Sequence, residues 1–278
     1  MSPDTTVRTG AKRAARKAAA SPALRFLARA GYVANGIVHA LVGVIVLVIA
    51  FGGDGEGDQA GAFKAVAAAP AGFAALWALA ISLWALGAWH AAAGLLAYDP
   101  RGDATGSAKK WGRRLAEWGQ AVVFLALGTL AAAVAIGARP DTEQVAEGAS
   151  RGILSIPGGP FVLAAVGLGI GVGGVVFVVM GVRQSFEKPV DVPDGALGAW
   201  IRALGVAGFV AKGLALLVLG VILVVAAVSI DPDAAGSLDG AVRAILALPL
   251  GPVLAGVVGA GFIAYGVFCG FRARYAHL

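Results

Sequence analysis

Apolar runs dominate this chain, and they come in pairs. Stretches almost free of charge fall near residues 27–51, 72–97, 115–137, 160–182, 203–229 and 251–271. Each exceeds the ~20 residues needed to cross a hydrocarbon core of ~30 Å. Soluble helices buried on every side would need charged faces elsewhere in the chain, and those faces are missing. The pattern predicts an all-α membrane protein with six transmembrane helices.

A short loop joins the two spans of each pair, and the three loops share one pattern. They read GAFKAVAAAPAG from Gly61, GASRGILSIPGG from Gly148 and GAVRAILALPLG from Gly240. Each has a cation three residues after the Gly (Lys64, Arg151, Arg243) and a Pro nine residues after it (Pro70, Pro157, Pro249). A second Gly follows two residues later (Gly72, Gly159, Gly251). Repeats at one spacing outrank other signals in setting architecture. The expectation is three tandem two-helix repeats, 24–98, 112–187 and 198–275, with pseudo-threefold symmetry, after a basic tail 1–23. The segment before each Pro reads as an amphipathic turn or two at the outer surface. Proline cannot continue that helix and disfavours helix in the residue before it, and the second Gly relieves crowding. The three cations either snorkel to headgroups or form a ring that attracts anions.

Composition agrees. Of 278 residues, 59% are hydrophobic and 14% charged, with a mean hydropathy of +0.82; soluble domains carry about 25% charged residues. The 42 glycines suit helices that pack through small residues in lipid. A single cysteine, Cys269, excludes an internal disulfide and a cysteine-based metal cluster. The first span is too long for a cleavable signal peptide and belongs to the first repeat.

Charge sets the expected orientation. The tail, the 98–114 and 183–202 loops, the C-terminus and adjoining helix ends hold 17 of the 22 Lys and Arg. The opposite loops are acidic, with Asp54, Glu56, Asp58, Asp141, Glu143, Glu147, Asp231, Asp233 and Asp239. The positive-inside rule then puts both termini in the cytoplasm. The basic tail is read as a topology determinant or a contact for anionic lipid. Nucleic acid is not expected as a partner, because no folded basic domain presents the charge.

The odd spans align on Gly43, Gly128 and Gly220, and eight residues before each lies a polar residue: Asn35, Gln120 and Lys212. Stepping by four keeps to one helix face. That face reads Gly31, Asn35, His39, Gly43 in span one and Gly208, Lys212, Leu216, Gly220 in span five. It is expected to point into the bundle, with no acidic residue inside the spans to pair Lys212. Ionisable residues in a membrane cost ~2.5–3.5 kcal/mol on insertion scales and are functional suspects by default. The three polar residues read either as a site for a small, anionic solute or as interhelical hydrogen bonds. His39 and His90 are further candidates for ligand contact or proton relay. A haem between them would need matched depths, and theirs differ by about a turn and a half, so neither cofactor nor metal is expected. The glycine-rich even spans, with Gly167-x-x-x-Gly171, Gly169-x-x-x-Gly173 and Gly266-x-x-x-Gly270, read as packing or docking faces. Trp77, Trp84 and Trp89 place span two toward lipid or a partner.

The loop pattern, the repeat length and the ARYAHL ending resemble the bacterial membrane-protein family catalogued as domain of unknown function 1206, over roughly residues 24 to 275. The resemblance implies three two-helix repeats and a bacterial plasma membrane, and it brings no activity. A plan of three helix pairs is also similar to that of the mitochondrial carriers, but their Pro-x-acid-x-x-base signature is absent. No acid pair, serine–histidine–acid set, HExxH motif or P-loop appears, so no enzyme is expected. The leading expectation is a non-enzymatic protein that binds or passes a small solute. The alternative is a structural or accessory protein docking another membrane protein or lipid.

Overall fold

The computed structural model describes residues 21–96, 104–188 and 190–276. The tail, apart from Ser21, Pro22 and Ala23, lies outside them. Among the described residues there are nine α-helices, and a lone antiparallel bridge joins Val190 to Ala276. Six are long and apolar enough to cross a membrane: α1 (Pro22–Ala50), α3 (Gly72–Leu96), α4 (Ala104–Ala135), α6 (Gly159–Val182), α7 (Gly195–Ser229) and α9 (Gly251–Tyr275). The protein is therefore a multi-pass membrane protein. Helices α4 and α7 begin well before the expected starts at 115 and 203. At the start of α4, hydropathy marks only the stretch suited to lipid, while Ala, Lys and Arg carry the helix on before it.

Each helix pair is joined through a short loop helix: α2 (Gln59–Ala68), α5 (Thr142–Leu154) and α8 (Leu238–Leu246). These are longer than the turn or two expected. Each begins at a side-chain cap, with Asp58, Asp141 and Ser237 accepting backbone N–H bonds of the first turn. Each is followed by the repeated Pro and then by a left-handed residue: Ala71 (φ 60°), Gly158 (φ 79°) and Leu250 (φ 62°). The next residue is the Gly that opens the long helix. A Cβ there would sit 2.2 Å from Val66 O at Gly72, 1.9 Å from Ile153 O at Gly159 and 2.1 Å from Leu246 O at Gly251. The Pro-x-Gly signature is thus a turn in which only glycine fits the third place.

The largest helix contacts join repeats rather than spans within one repeat: α3 with α4, α6 with α7, and α9 with α1. Each odd span lies on the even span of the preceding repeat, and the last even span closes on the first odd one. Glycines make these contacts at equivalent positions. Gly36 meets Gly266, and Gly43 meets Gly259; Gly213 meets Gly174, and Gly220 meets Gly167. In the remaining pair Ala121 faces Gly87, and Gly128 takes Trp84 and the Ala80 carbonyl. The aligned small residues therefore bring two backbones together.

Symmetry is broken in one place. Helix α9 also packs on α7, and α1 on α3, but among the described residues no comparable packing joins α4 to α6. The long helices follow the order α4–α3–α1–α9–α7–α6 as an arc whose two ends belong to repeat two. The end helix α6 is the most exposed of the six and α3 is more deeply covered. This corrects the expectation that span two faces outward most: Trp84 of α3 packs on Gly128, and its indole donates to Thr129 Oγ1 at 3.3 Å.

Candidate functional site

The interior differs between its two ends. Toward the loop helices it is apolar, with Val42, Val46, Phe63, Leu76, Val134, Val242 and Val258 in one buried cluster. Toward the termini it is polar.

Lys212 of α7 reaches across to α1, where its Nζ lies 3.1 Å from His39 Nε2. An ammonium only donates, so Nε2 is the acceptor. His39 Nδ1 must then carry the proton, which it donates to the Asn35 carbonyl at 2.8 Å. The imidazole is thereby fixed as one neutral tautomer. The ammonium also lies 4.5 Å from the Tyr265 ring centre and 5.2 Å from that of Phe177, which places it among α1, α6, α7 and α9. Asn35 is buried and donates to Cys269 Sγ at 3.4 Å. No carboxylate pairs Lys212 among the described residues.

A second polar group lies nearby. His90 of α3 donates from Nδ1 to the Glu117 carboxylate of α4 at 2.8 Å, stacks on Phe124 and meets Tyr32 edge-on. Tyr32 also carries the Arg272 guanidinium 4.6 Å above its ring. His90 Nε2 and Arg272 Nε are buried without a protein partner. Glu117 corrects the expectation of spans free of acid. It sits two residues into the expected third span, where a polar neighbourhood masked it, and it pairs His90 rather than Lys212.

The structure brings Lys212, His39 and Asn35 together and puts His90 in the adjoining group. It does not bring Gln120 to them. Gln120 is exposed on α4, one turn below the buried Phe124, on the helix at the open end of the arc. Depth matches across the three repeats; neighbours do not. Nor are the two histidines arranged as a pair, since each has its own partners on other helices. Among the described residues no group of three or more His, Cys, Asp or Glu has metal-ligand geometry.

At the loop end three carboxylates tie the repeats into a closed ring. Asp58 of repeat one accepts from Thr142 of repeat two. Glu143 of repeat two accepts from the Ser237 N–H at 3.0 Å and hydroxyl at 2.7 Å, in repeat three. Asp239 of repeat three accepts from the Gly57 N–H of repeat one at 2.7 Å. Burial pushes the Asp58 carboxyl up, opposed by its bonds from Thr142 and Gly61, and Asp239 and Glu56 push it up further. Each of the three loop cations has a carboxylate partner. Lys64 pairs with Glu56 at 2.6 Å, Arg151 with Asp233 at 2.6 Å and Arg243 with Asp239 at 2.7 Å. The last pairing holds the Arg243 guanidinium above its usual range. Sequence reasoning missed this ring, because its partners lie in different repeats and no local spacing joins them.

Comparison with known proteins agrees with the repeat. The family model described as Domain of Unknown Function (DUF1206) matches residues 30–97, 103–184 and 207–276. The chain is similar to "Uncharacterized protein YxxB" of Bacillus subtilis (strain 168), 25% identical over 259 residues, covering 92% of this chain and 93% of that protein. No solved structure matches.

Proposed function

The chain belongs to the Domain of Unknown Function (DUF1206) family, and on that footing we propose that it binds a small anionic solute inside the membrane at Lys212. One observation carries the reading. Lys212 lies in a transmembrane helix, and its nearest partner is the neutral His39 rather than a carboxylate. A half-buried ammonium inside the membrane without a counter-charge is costly, and a bound anion offsets that cost. The buried unpartnered Arg272 Nε offers a further donor on the same side. The apolar plug and the carboxylate ring make the loop end the closed end, so the solute enters from the terminal end. Charge asymmetry puts that end in the cytoplasm of a bacterial cell. The protein acts as a binder or conduit and not as an enzyme.

The test is purification of wild type and Lys212→Met in native lipid, followed by mass spectrometry of released small molecules. A small anion present in wild type and lost from the variant supports the site. Identical small-molecule content in two well-folded preparations overturns it. The accessory reading keeps one observation of its own: α6 is mostly exposed, and a Cβ at Gly169 or Gly173 would meet nothing within 4 Å. If Lys212→Met changes only thermal stability, that reading stands.

A further inference from the structure

On the far side of α1 from Lys212 runs a groove of about 830 Å³ between α1, α3 and α9, reaching Val66 of the loop helix α2 at its other end. That is roughly the size of a small-molecule site. Its walls are apolar, formed by residues such as Phe26, Ile37 and Ala78. Its terminal end carries two guanidinium groups, Arg29 of α1 and Arg274 of α9. Both are exposed, and neither has a carboxylate partner among the described residues. Along α1 the lining from Phe26 to Ile37 covers about 16 Å of helix axis, close to one leaflet of a ~30 Å core.

We propose that this groove holds one anionic diacyl phospholipid, with its phosphate on Arg29 and Arg274 and an acyl chain along the apolar wall. Guanidinium groups match phosphate oxygens with paired donors. Basic pockets between transmembrane helices at the cytoplasmic surface suit anionic headgroups. A free phosphate would leave the apolar wall unused, and a zwitterionic lipid would leave the two cations without net counter-charge. The site is particular to repeat one. The position equivalent to Arg29 is Arg114 in repeat two, where it is buried against Trp111, and Val206 in repeat three. The proposal is independent of the Lys212 solute site.

The experiment titrates the full-length protein in detergent with phosphatidylglycerol or phosphatidylcholine and counts bound lipid by native mass spectrometry. Two variants are compared with wild type. Arg29→Gln with Arg274→Gln removes the headgroup contacts and leaves the tail cations in place. Gly270→Leu fills the groove, because a Cβ at Gly270 meets nothing within 4 Å. Wild type should retain one phosphatidylglycerol more tightly than phosphatidylcholine. The double variant should lose about tenfold to thirtyfold in affinity for phosphatidylglycerol, the effect of two basic contacts. Gly270→Leu should lose both lipids. Equal retention of the two lipids by wild type, or unchanged preference in the double variant, overturns the proposal by assigning the charge effect to the tail. Unchanged retention by Gly270→Leu places the lipid elsewhere and also overturns it. So does a wild-type protein that retains no lipid but runs as a dimer.

Discussion

The Lys212 ammonium and the His39 imidazole, 173 residues apart in sequence, meet at 3.1 Å inside the membrane-spanning bundle. One donates, the other accepts, and the acceptor is held in place by the Asn35 carbonyl. Removing either partner should therefore have unequal effects. His39→Phe leaves the ammonium without an acceptor and should cost about 1–3 kcal/mol, the range for an orphaned buried polar group. Lys212→Met should be near neutral, and the double variant should recover most of the loss. A thermal-unfolding cycle in one lipid-detergent mixture measures this. Additive effects would show that the two side chains are not coupled.

Glycine at the helix contacts is a steric requirement at some positions and not at others. A Cβ on Gly213 would sit 2.6 Å from the Gly174 carbonyl, whereas one on Gly173 has open space. Gly213→Ala should destabilise by about 1–3 kcal/mol through overpacking. Gly173→Ala should be neutral or stabilise by up to about 1 kcal/mol through helix propensity. Unfolding midpoints of the two variants decide it, and equal midpoints would contradict the packing described.

The carboxylate ring should make stability depend on pH in a defined direction. The folded protein holds Asp58 above its ordinary carboxyl range by burial, so protonation favours the folded state. That contribution is complete below the ordinary carboxyl range and is lost as pH rises through the raised value. Wild type should gain stability relative to Asp58→Asn as pH falls from neutral toward about 4. Midpoints measured across that window test the sign, and a relative loss on acidification would show that Asp58 is not desolvated.

Orientation can be read by labelling. Asp54 in the first loop and Arg183 at the end of α6 are both exposed, and the native Cys269 is buried. In intact cells Asp54→Cys should react with a membrane-impermeant thiol reagent. Arg183→Cys should react only after permeabilisation. The reverse pattern would invert the orientation and place the polar interior toward the outside.

The sequence by itself determined the six helices, their pairing into three repeats and the Pro-x-Gly turns, because these depend on local hydropathy and local backbone sterics. The repeated Gly72, Gly159 and Gly251 are visible in one dimension since the atom each avoids lies five or six residues back in the same chain. Which repeat each odd span leans on is not local. The tertiary structure decided that Gly36 faces Gly266 and Gly213 faces Gly174, so the aligned glycines serve inter-repeat contacts. It also separated three residues that alignment had put at one depth. Asn35 is buried against Cys269, Lys212 reaches His39, and Gln120 stays exposed at the open end of the arc. Depth along a helix follows from counting residues. What a side chain meets at that depth depends on which helices close around it, and among the described residues no comparable packing closes α4 on α6.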